Sequence, residues 1–286
     1  MIQLQGKDVS QKIRQHLQIR VEAIKSKLGR APRLDVVLVG ADKASQVYVK
    51  NKHIACQKIG MESQVHHLSS DVSESELLTL ILALNKNPKV DGILVQLPLP
   101  QQIRSQKVLE TIAPEKDADG LTPLSTGLLW SSQPWVRSCT PQGVIHILEH
   151  YQIPISGQHA VVVGRSQIVG KPMAALLLEK NATVTICHSK TKNLEQLTQL
   201  GDIVVVAAGR PRFLGRSAFK KGAVVIDVGI HGTGTAAAGG NICGDVKSEE
   251  LNDWVSALTP VPGGVGPMTI TCLLENTVWL AERRQP

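Results

Sequence analysis

The segment His159-Ala-Val-Val-Val-Gly-Arg-Ser-Gln-Ile-Val-Gly-Lys-Pro-Met-Ala-Ala-Leu-Leu-Leu178 leaves few folds open to this chain. Ala160 to Val163 is a short, mostly β-branched apolar run, the pattern of a buried strand, and Gly164 ends it abruptly. Pro172 suits the first turn of a helix whose Met173, Leu176 and Leu177 share one face. Gly164 and Gly170 let backbone pass close to a ligand, and the helix N-terminus offers N–H groups to an anion. Strand, glycine turn and helix in that order form the phosphate-binding unit of a nucleotide fold. The spacing departs from G-x-G-x-x-G, because Ser166 stands at the second glycine position. An ordinary strand-to-helix turn of an α/β protein would read the same way.

A chain of 286 residues has room for two domains with well-buried cores. Aromatic residues make up 3% against 42% hydrophobic residues overall, so Val, Ile, Leu and Ala must build those cores, as suits parallel sheets covered by helices. No apolar run reaches the roughly 18 residues of a membrane span, and the first residues lack the basic and apolar regions of a signal peptide. A soluble, cytoplasmic protein with no membrane partner is expected. The five cysteines, Cys56, Cys139, Cys187, Cys243 and Cys272, are scattered and odd in number. With no C-x-x-C pair they argue against a disulfide framework or a structural zinc site, and for a reducing compartment.

The net charge of +7 comes from 31 basic against 24 acidic residues, spread along the chain apart from a loose cluster at Arg210, Arg212, Arg216, Lys220 and Lys221. Such a distribution is either a solvated basic face or an attraction for small polyanions. Nucleic-acid binding would need a basic stripe interleaved with aromatics, and there is none.

Val9, Ile13, Leu17, Ile24 and Leu28 recur at helical spacing and predict an amphipathic helix ending at Gly29. Leu34 to Val39 reads as a buried strand, Ser45 to Ile59 as a helix, and the residues around Val65 as a short strand. Ser73-Glu-Ser-Glu76 is a capping box that opens a helix to about Leu84. Val90 to Leu97 is the next strand, followed by the Pro98-Leu-Pro100 break and a helix near Lys107 to Ile112. This βαβαβα order implies parallel strands. From Ala113 to Thr140 the pattern loosens into a candidate domain junction. A helix from Thr140-Pro141 to Tyr151 precedes the glycine-turn segment. Strands at Thr183 to Cys187, Ile203 to Ala207 and Val224 to Val228 then build a second parallel sheet, as in a dinucleotide-binding domain. Gly232 to Gly240 reads as a low-complexity surface loop, and Pro267 as the start of a last helix. The expected fold class is α/β: two α/β domains, the C-terminal one of Rossmann type, with the active-site cleft between them.

Tyr48, Lys52, Ala55 and Ile59 share one helix face. A lysine on a mostly apolar face bordering a cleft would have its pKa lowered by desolvation; a lysine snorkelling over the helix edge is the plainer alternative. Gln96 sits at the carboxyl end of a strand, where open α/β sheets bind ligands, and its amide can both donate and accept. Asp117 and Asp119 are either ligand-holding carboxylates or turn residues. His146-Ile-Leu-Glu-His150 matches the H-x-x-E-H pattern of inverted zinc metallopeptidases, though the helix is short and no third ligand is obvious downstream. His66 and His67 are adjacent and point to opposite faces of a strand.

Six segments taken together resemble the bifunctional methylenetetrahydrofolate dehydrogenase/cyclohydrolase family. They are Tyr48-Val-Lys-Asn-Lys52, Asp91-Gly-Ile-Leu-Val-Gln-Leu-Pro-Leu-Pro100, Lys116-Asp-Ala-Asp-Gly120, Gly164-Arg-Ser-Gln-Ile-Val-Gly-Lys-Pro172, Thr185-Ile-Cys-His-Ser-Lys-Thr191 and Pro260-Val-Pro-Gly-Gly-Val-Gly-Pro-Met-Thr269. They span nearly the whole chain in the family's order, and they depart from it mainly in Gly232 to Gly240.

The resemblance implies an enzyme of tetrahydrofolate interconversion, serving purine, methionine and histidine biosynthesis. It would oxidise 5,10-methylenetetrahydrofolate with NADP, then hydrolyse the methenyl product to 10-formyltetrahydrofolate. Its partners would be tetrahydrofolate derivatives, with or without a polyglutamate tail, and a second copy in a homodimer. The catalytic set it implies is Lys52, the key cyclohydrolase residue; Tyr48, packing on the folate; Gln96, tuning the lysine; and Asp119, holding the pterin. The Pro262-Gly263-Gly264 loop completes the folate side, and Gly164, Arg165, Ser166, Ser189 and Ile230 take the cofactor. No metal is implied. The strand ending at Cys187 is followed by His188-Ser189-Lys190, with no acid for a ribose 2′-hydroxyl, while Arg165 and Ser189 could meet a 2′-phosphate, so NADP is preferred to NAD. On this reading residues 1–119 form the folate-binding catalytic domain, packed by a C-terminal helix at 267–286, and residues 120–286 form the NADP-binding domain. Loss of the hydrolase with retention of the dehydrogenase is the nearest alternative.

Overall fold

The computed structural model of the protein describes residues 1–232 and 242–284, so all of the low-complexity tract beyond Gly232 lies outside the described residues. The chain divides into two compact units, one of residues 12–139 and 270–286, the other of residues 1–11 and 140–269. The stretch 120–139 stays with the residues before it, and the first eleven residues join the later unit.

The first of these units is built on β2 (Arg33–Val39), β3 (Glu62–Leu68) and β4 (Gly92–Val95), all parallel in the order β3-β2-β4, where β1 is the short strand Ile2–Gln3 of the other unit. Successive side chains of a strand point to opposite faces, and β2 feeds two cores in that way. Leu34, Val36 and Leu38 pack with Val49 and Cys56 of α2 (Lys43–Lys58) and with Leu273 and Val278 of the last helix. Val37 and Val39 pack with Leu77, Ile81 and Leu84 of α3 (Glu74–Lys86). A strand buried on both faces reads as the unbroken apolar run seen here. The capping box at the start of α3 forms: Ser73 Oγ accepts from Glu76 N at 3.2 Å, and Glu76 Oε2 accepts from Ser73 N at 3.0 Å. The other end of α3 is closed by Lys116, whose buried amine donates to Leu84 O at 2.9 Å and Asn87 O at 2.7 Å.

The second unit carries a six-stranded sheet of order β1-β11-β8-β7-β5-β6, parallel throughout. Its members after β1 are β5 (His159–Val163), β6 (Thr183–Cys187), β7 (Ile203–Val206), β8 (Val224–Asp227) and β11 (Ala257–Leu258); β9 (His231–Gly232) and β10 (Ile242–Cys243) form a separate antiparallel pair. β6 and β7 flank β5 on opposite sides, so the chain reverses its direction of winding there. Ligands of open α/β sheets bind at the carboxyl ends of strands at such a switch point.

Several short elements escape the sequence reading, among them β9, β10, β11, β1 and α5 (Pro123–Trp130). β1 is only two residues long and exposed, and it exists through its pairing with Ala257 and Leu258. The loosened stretch holds α5, with Thr122 as N-cap accepting from Ser125 N at 3.2 Å and proline in the first turn.

Candidate active site

Lys52 lies on α2 one turn after Tyr48. Asp42 caps that helix by accepting from Ser45 N at 2.8 Å, which sets where its faces point. Lys52 is 6% exposed, so it does not snorkel. Its Nζ donates to Gln96 Oε1 at 2.9 Å and lies 5.7 Å from the centre of the Tyr48 ring. Gln96, just beyond the carboxyl end of β4, donates its own amide to Leu97 O at 2.7 Å, which fixes which end of the amide faces the lysine.

Burial pushes the Lys52 amine below the ordinary lysine value, and the charge of Asp119 pulls it back. Burial likewise raises the Asp119 carboxyl, against the pull of Lys52. Lys52 is the more enclosed of the two, since Asp119 keeps some exposed surface, and the dominant effect is a lysine driven toward its neutral form.

The two aspartates of the Lys116-to-Gly120 loop have separate tasks. Asp117 is a turn residue: its carboxylate accepts from Gly120 N at 2.9 Å, Leu121 N at 3.2 Å and Thr122 N at 2.8 Å. Asp119 instead interacts with Lys52. Gly120 has φ +69°, and a Cβ there would lie 2.9 Å from the Arg137 carbonyl carbon. The loop is braced by residues that sequence reasoning did not single out. Asn276 Nδ2 donates to Ala118 O and to Arg137 O, both at 2.9 Å, and the Cys139 thiol donates to Ala118 O at 3.4 Å. Neither brace has a motif of its own.

In the other unit a cavity of about 460 Å³ opens at the carboxyl ends of β5, β6 and β7, with Gly164, Arg165, Ser166 and Ser189 in its wall. Gly164 has φ +145°, and a Cβ there would lie 2.4 Å from Ala207 O; at Gly170 it would lie 2.3 Å from Gly164 O. Both glycines are thus required by close backbone packing of strand, turn and α7 (Gly170–Glu179). One expectation changes here. Ser166 Oγ accepts from Val169 N at 3.2 Å and from Gly170 N at 3.3 Å, so the serine in the second glycine position occupies helix-end amides expected to face an anion.

The cavity wall also includes Thr191 and Arg210, absent from the expected set; Arg210 stacks on Phe213 at 4.0 Å. The Arg210 loop is held by the buried Asp245, which accepts from Ala208 N at 2.6 Å, Gly209 N at 2.9 Å and Arg210 N at 2.9 Å. Ile230 is 47% exposed beyond β8 and is not part of this wall. In the Pro262-Gly263-Gly264 loop, Gly263 has φ +105°, and a Cβ there would make only ordinary contact, 3.6 Å from Gln5 Oε1. Gly264 serves the chain's own packing, since a Cβ there would meet Pro260 O at 2.6 Å. On α6 (Cys139–His150), His146 Nε2 lies 3.1 Å from the Gln142 amide, and His150 meets Tyr151 edge-on.

Residues 4–119 match the family model for the catalytic domain of tetrahydrofolate dehydrogenase/cyclohydrolase, and residues 138–285 match the model for that family's NAD(P)-binding domain. The chain belongs to the tetrahydrofolate dehydrogenase/cyclohydrolase family. The catalytic-domain match carries Tyr48, Lys52, Gln96 and Asp119; the NAD(P)-binding match carries the glycine turn, Ser189, Ile230 and the Pro262-to-Gly264 loop.

A relative named Bifunctional protein FolD from Bdellovibrio bacteriovorus is 58% identical over 281 residues, covering 98% of this chain and 96% of the relative. The crystal structure of the bifunctional FolD methylenetetrahydrofolate dehydrogenase/cyclohydrolase from Campylobacter jejuni is 46% identical, with a TM-score of 0.94 and full coverage of both chains. The Trypanosoma brucei enzyme, solved with NADP and an inhibitor, is 35% identical with a TM-score of 0.94, covering 99% of this chain and 98% of that one. A tetrahydrofolate dehydrogenase/cyclohydrolase has no need of the zinc-peptidase reading of His146 and His150, which is set aside.

Proposed function

We propose that this protein oxidises 5,10-methylenetetrahydrofolate to 5,10-methenyltetrahydrofolate with NADP and then hydrolyses that product to 10-formyltetrahydrofolate. The observation that carries the reading is the buried Lys52 amine, hydrogen-bonded to Gln96 beside Asp119, inside a chain of this family.

The cofactor cavity suits NADP. Its glycine turn excludes side chains, Arg165 and Ser189 stand exposed at its wall, and no carboxylate follows β6 to repel a 2′-phosphate. Bound there, NADP supplies the acceptor for the substrate's hydride; the protein's own contribution to that step is positioning.

Hydrolysis falls to the lysine. The methenyl carbon is cationic, and a neutral amine approaches it without repulsion. As the water oxygen bonds to that carbon, Lys52 Nζ accepts the water's proton. The adduct's hydroxyl then gives up its proton as its oxygen becomes the formyl carbonyl, the bond from carbon to N5 breaks, N5 takes up a proton, and the formyl group stays on N10. A lysine that donates one hydrogen to Gln96 has its lone pair turned away from that bond, which is how Gln96 orients the base. Asp119 accepts from the pterin, Tyr48 packs on the folate, and the Pro262-Gly263-Gly264 loop borders it. Ile230, exposed beyond β8, would also contact the cofactor.

The protein acts in the cytoplasm as a homodimer. Five free cysteines support a reducing compartment, and β3, an edge strand with Val65 38% exposed, supports pairing of copies. The near-ultraviolet absorbance of NADPH, followed with methylenetetrahydrofolate and either NADP or NAD, tests the reading. A rise with NADP and a smaller one with NAD is expected, and no rise with either cofactor overturns it.

A further inference from the structure

A cavity of about 650 Å³ lies at the amino end of the three-stranded sheet, the end opposite Gln96. Its floor is cationic. Arg30 and Arg284 both reach Asp91, which is fully buried: Arg30 binds it in a fork at 2.7 and 2.8 Å, and Arg284 Nε lies 3.1 Å away. These guanidiniums also donate to carbonyls, among them Pro88 O and Val90 O. Lys116, also facing the cavity, donates only to carbonyls. Two arginines thus share one buried carboxylate beside a third cation, Lys116, and even with Glu115 in the lining the floor carries excess positive charge. Lys116 registers it: burial first, and the charge of Arg284 second, hold its amine down at about 8, although Asp91, Glu115 and Asp35 all pull it upward.

The walls have a different character. Trp135 and Trp279 face the cavity with Leu28 and Leu280, and the Arg283 guanidinium lies 4.6 Å from the Trp279 ring centre and 5.6 Å from that of Trp135. Held by the two indoles, Arg283 has no carboxylate partner among the described residues, and neither has Lys86 on the rim; Glu115 is the only acid in the lining. Both Arg283 and Lys86 are exposed and have donors to offer. The volume is that of a small-molecule site and far exceeds what one inorganic anion fills. Indole faces favour flat rings, and free guanidinium and ammonium groups favour oxyanions.

We propose that this cavity is a second ligand site, separate from the folate and NADP sites, that binds a small organic anion with a flat ring and a phosphate or carboxylate group. The anion sits between Arg283 and Lys86 above the cationic floor, and the ring lies along the tryptophan wall. The assignment is independent of the reaction proposed above.

Calorimetry on the NADP-saturated protein with naphthyl phosphate tests it, since that compound joins ring and phosphate while the cofactor cavity is filled. One binding event is expected. Naphthol, which lacks the charge, and inorganic phosphate, which lacks the ring, should each bind at least about tenfold more weakly. The Lys86→Ala/Arg283→Ala double variant should lose about tenfold or more in affinity for naphthyl phosphate while keeping its affinity for NADP, which also shows that it folds. Trp135→Ala should weaken naphthyl phosphate and leave inorganic phosphate unchanged. Absence of binding, equal affinity for either half-compound, or binding that survives the double variant each overturns the proposal.

Discussion

Lys52 Nζ donates to Gln96 Oε1 over 2.9 Å, and the glutamine is itself locked by its bond to Leu97 O, so a buried amine is held in one orientation. Replacing Lys52 by Met keeps the bulk and removes the base. Hydrolysis of methenyltetrahydrofolate should fall roughly a hundred- to ten-thousand-fold, with NADP affinity retained. Unchanged hydrolysis would remove Lys52 from the mechanism.

The same lysine sets a pH profile. Burial lowers its pKa from the ordinary 10.5 against the opposing pull of Asp119, and the neutral amine is the working form. Hydrolysis should therefore decline as pH falls through a midpoint below 10.5. In Gln96→Ala that midpoint should shift, because the amine loses its hydrogen-bond acceptor. A stopped-flow profile of methenyl hydrolysis reads both outcomes.

Asp117 and Asp119 are two residues apart and should fail in different ways. Asp117→Asn removes the charge that accepts three backbone amides and should cost about 3 kcal/mol in urea unfolding. Asp119→Asn should leave the urea midpoint nearly unchanged and raise the folate Kd; an unaltered Kd would refute its role.

Gly170→Ala places a methyl group 2.3 Å from Gly164 O, where the neighbour is backbone and has little room to yield. A loss of about 1–3 kcal/mol in stability is expected, together with weaker NADP binding. Full NADP affinity in this variant would mean that the turn tolerates more movement than its packing suggests.

Lys116 titrates at about 8 in the fold against 10.5 for an ordinary lysine. Its lowered value means that the fold disfavours the charged form, so the unfolded chain binds more protons between those two values. Stability should rise with pH across that window and level off above it. The rise should be absent in Lys116→Met, as compared by urea midpoints at several pH values.

The elements that were legible are those whose own residues carry the pattern. The apolar run of β2, the capping box Ser73–Glu76, the glycine turn after β5 and the helical register of Tyr48 with Lys52 all depend on neighbours a few positions away. The short elements were not legible. β1 has two exposed residues and forms only because β11 accepts it, and α5 is eight residues long and interrupted by Gly127.

By itself the sequence determined the class of fold, the parallel sheets, the family and the glycine turn after β5, because periodicity and motif spacing are local records of which side chains are buried. Tertiary structure alone decided that Asp117 is tied into its own turn, and that Ser166 takes up the amides of Val169 and Gly170. It also set Asn276 to brace a loop 158 positions away, and it gathered Arg30, Lys116, Trp135, Trp279 and Arg283 around one cavity. Those facts depend on hydrogen bonds and charges between residues far apart along the chain. Local pattern carries no trace of such distant partners until the backbone has brought them together.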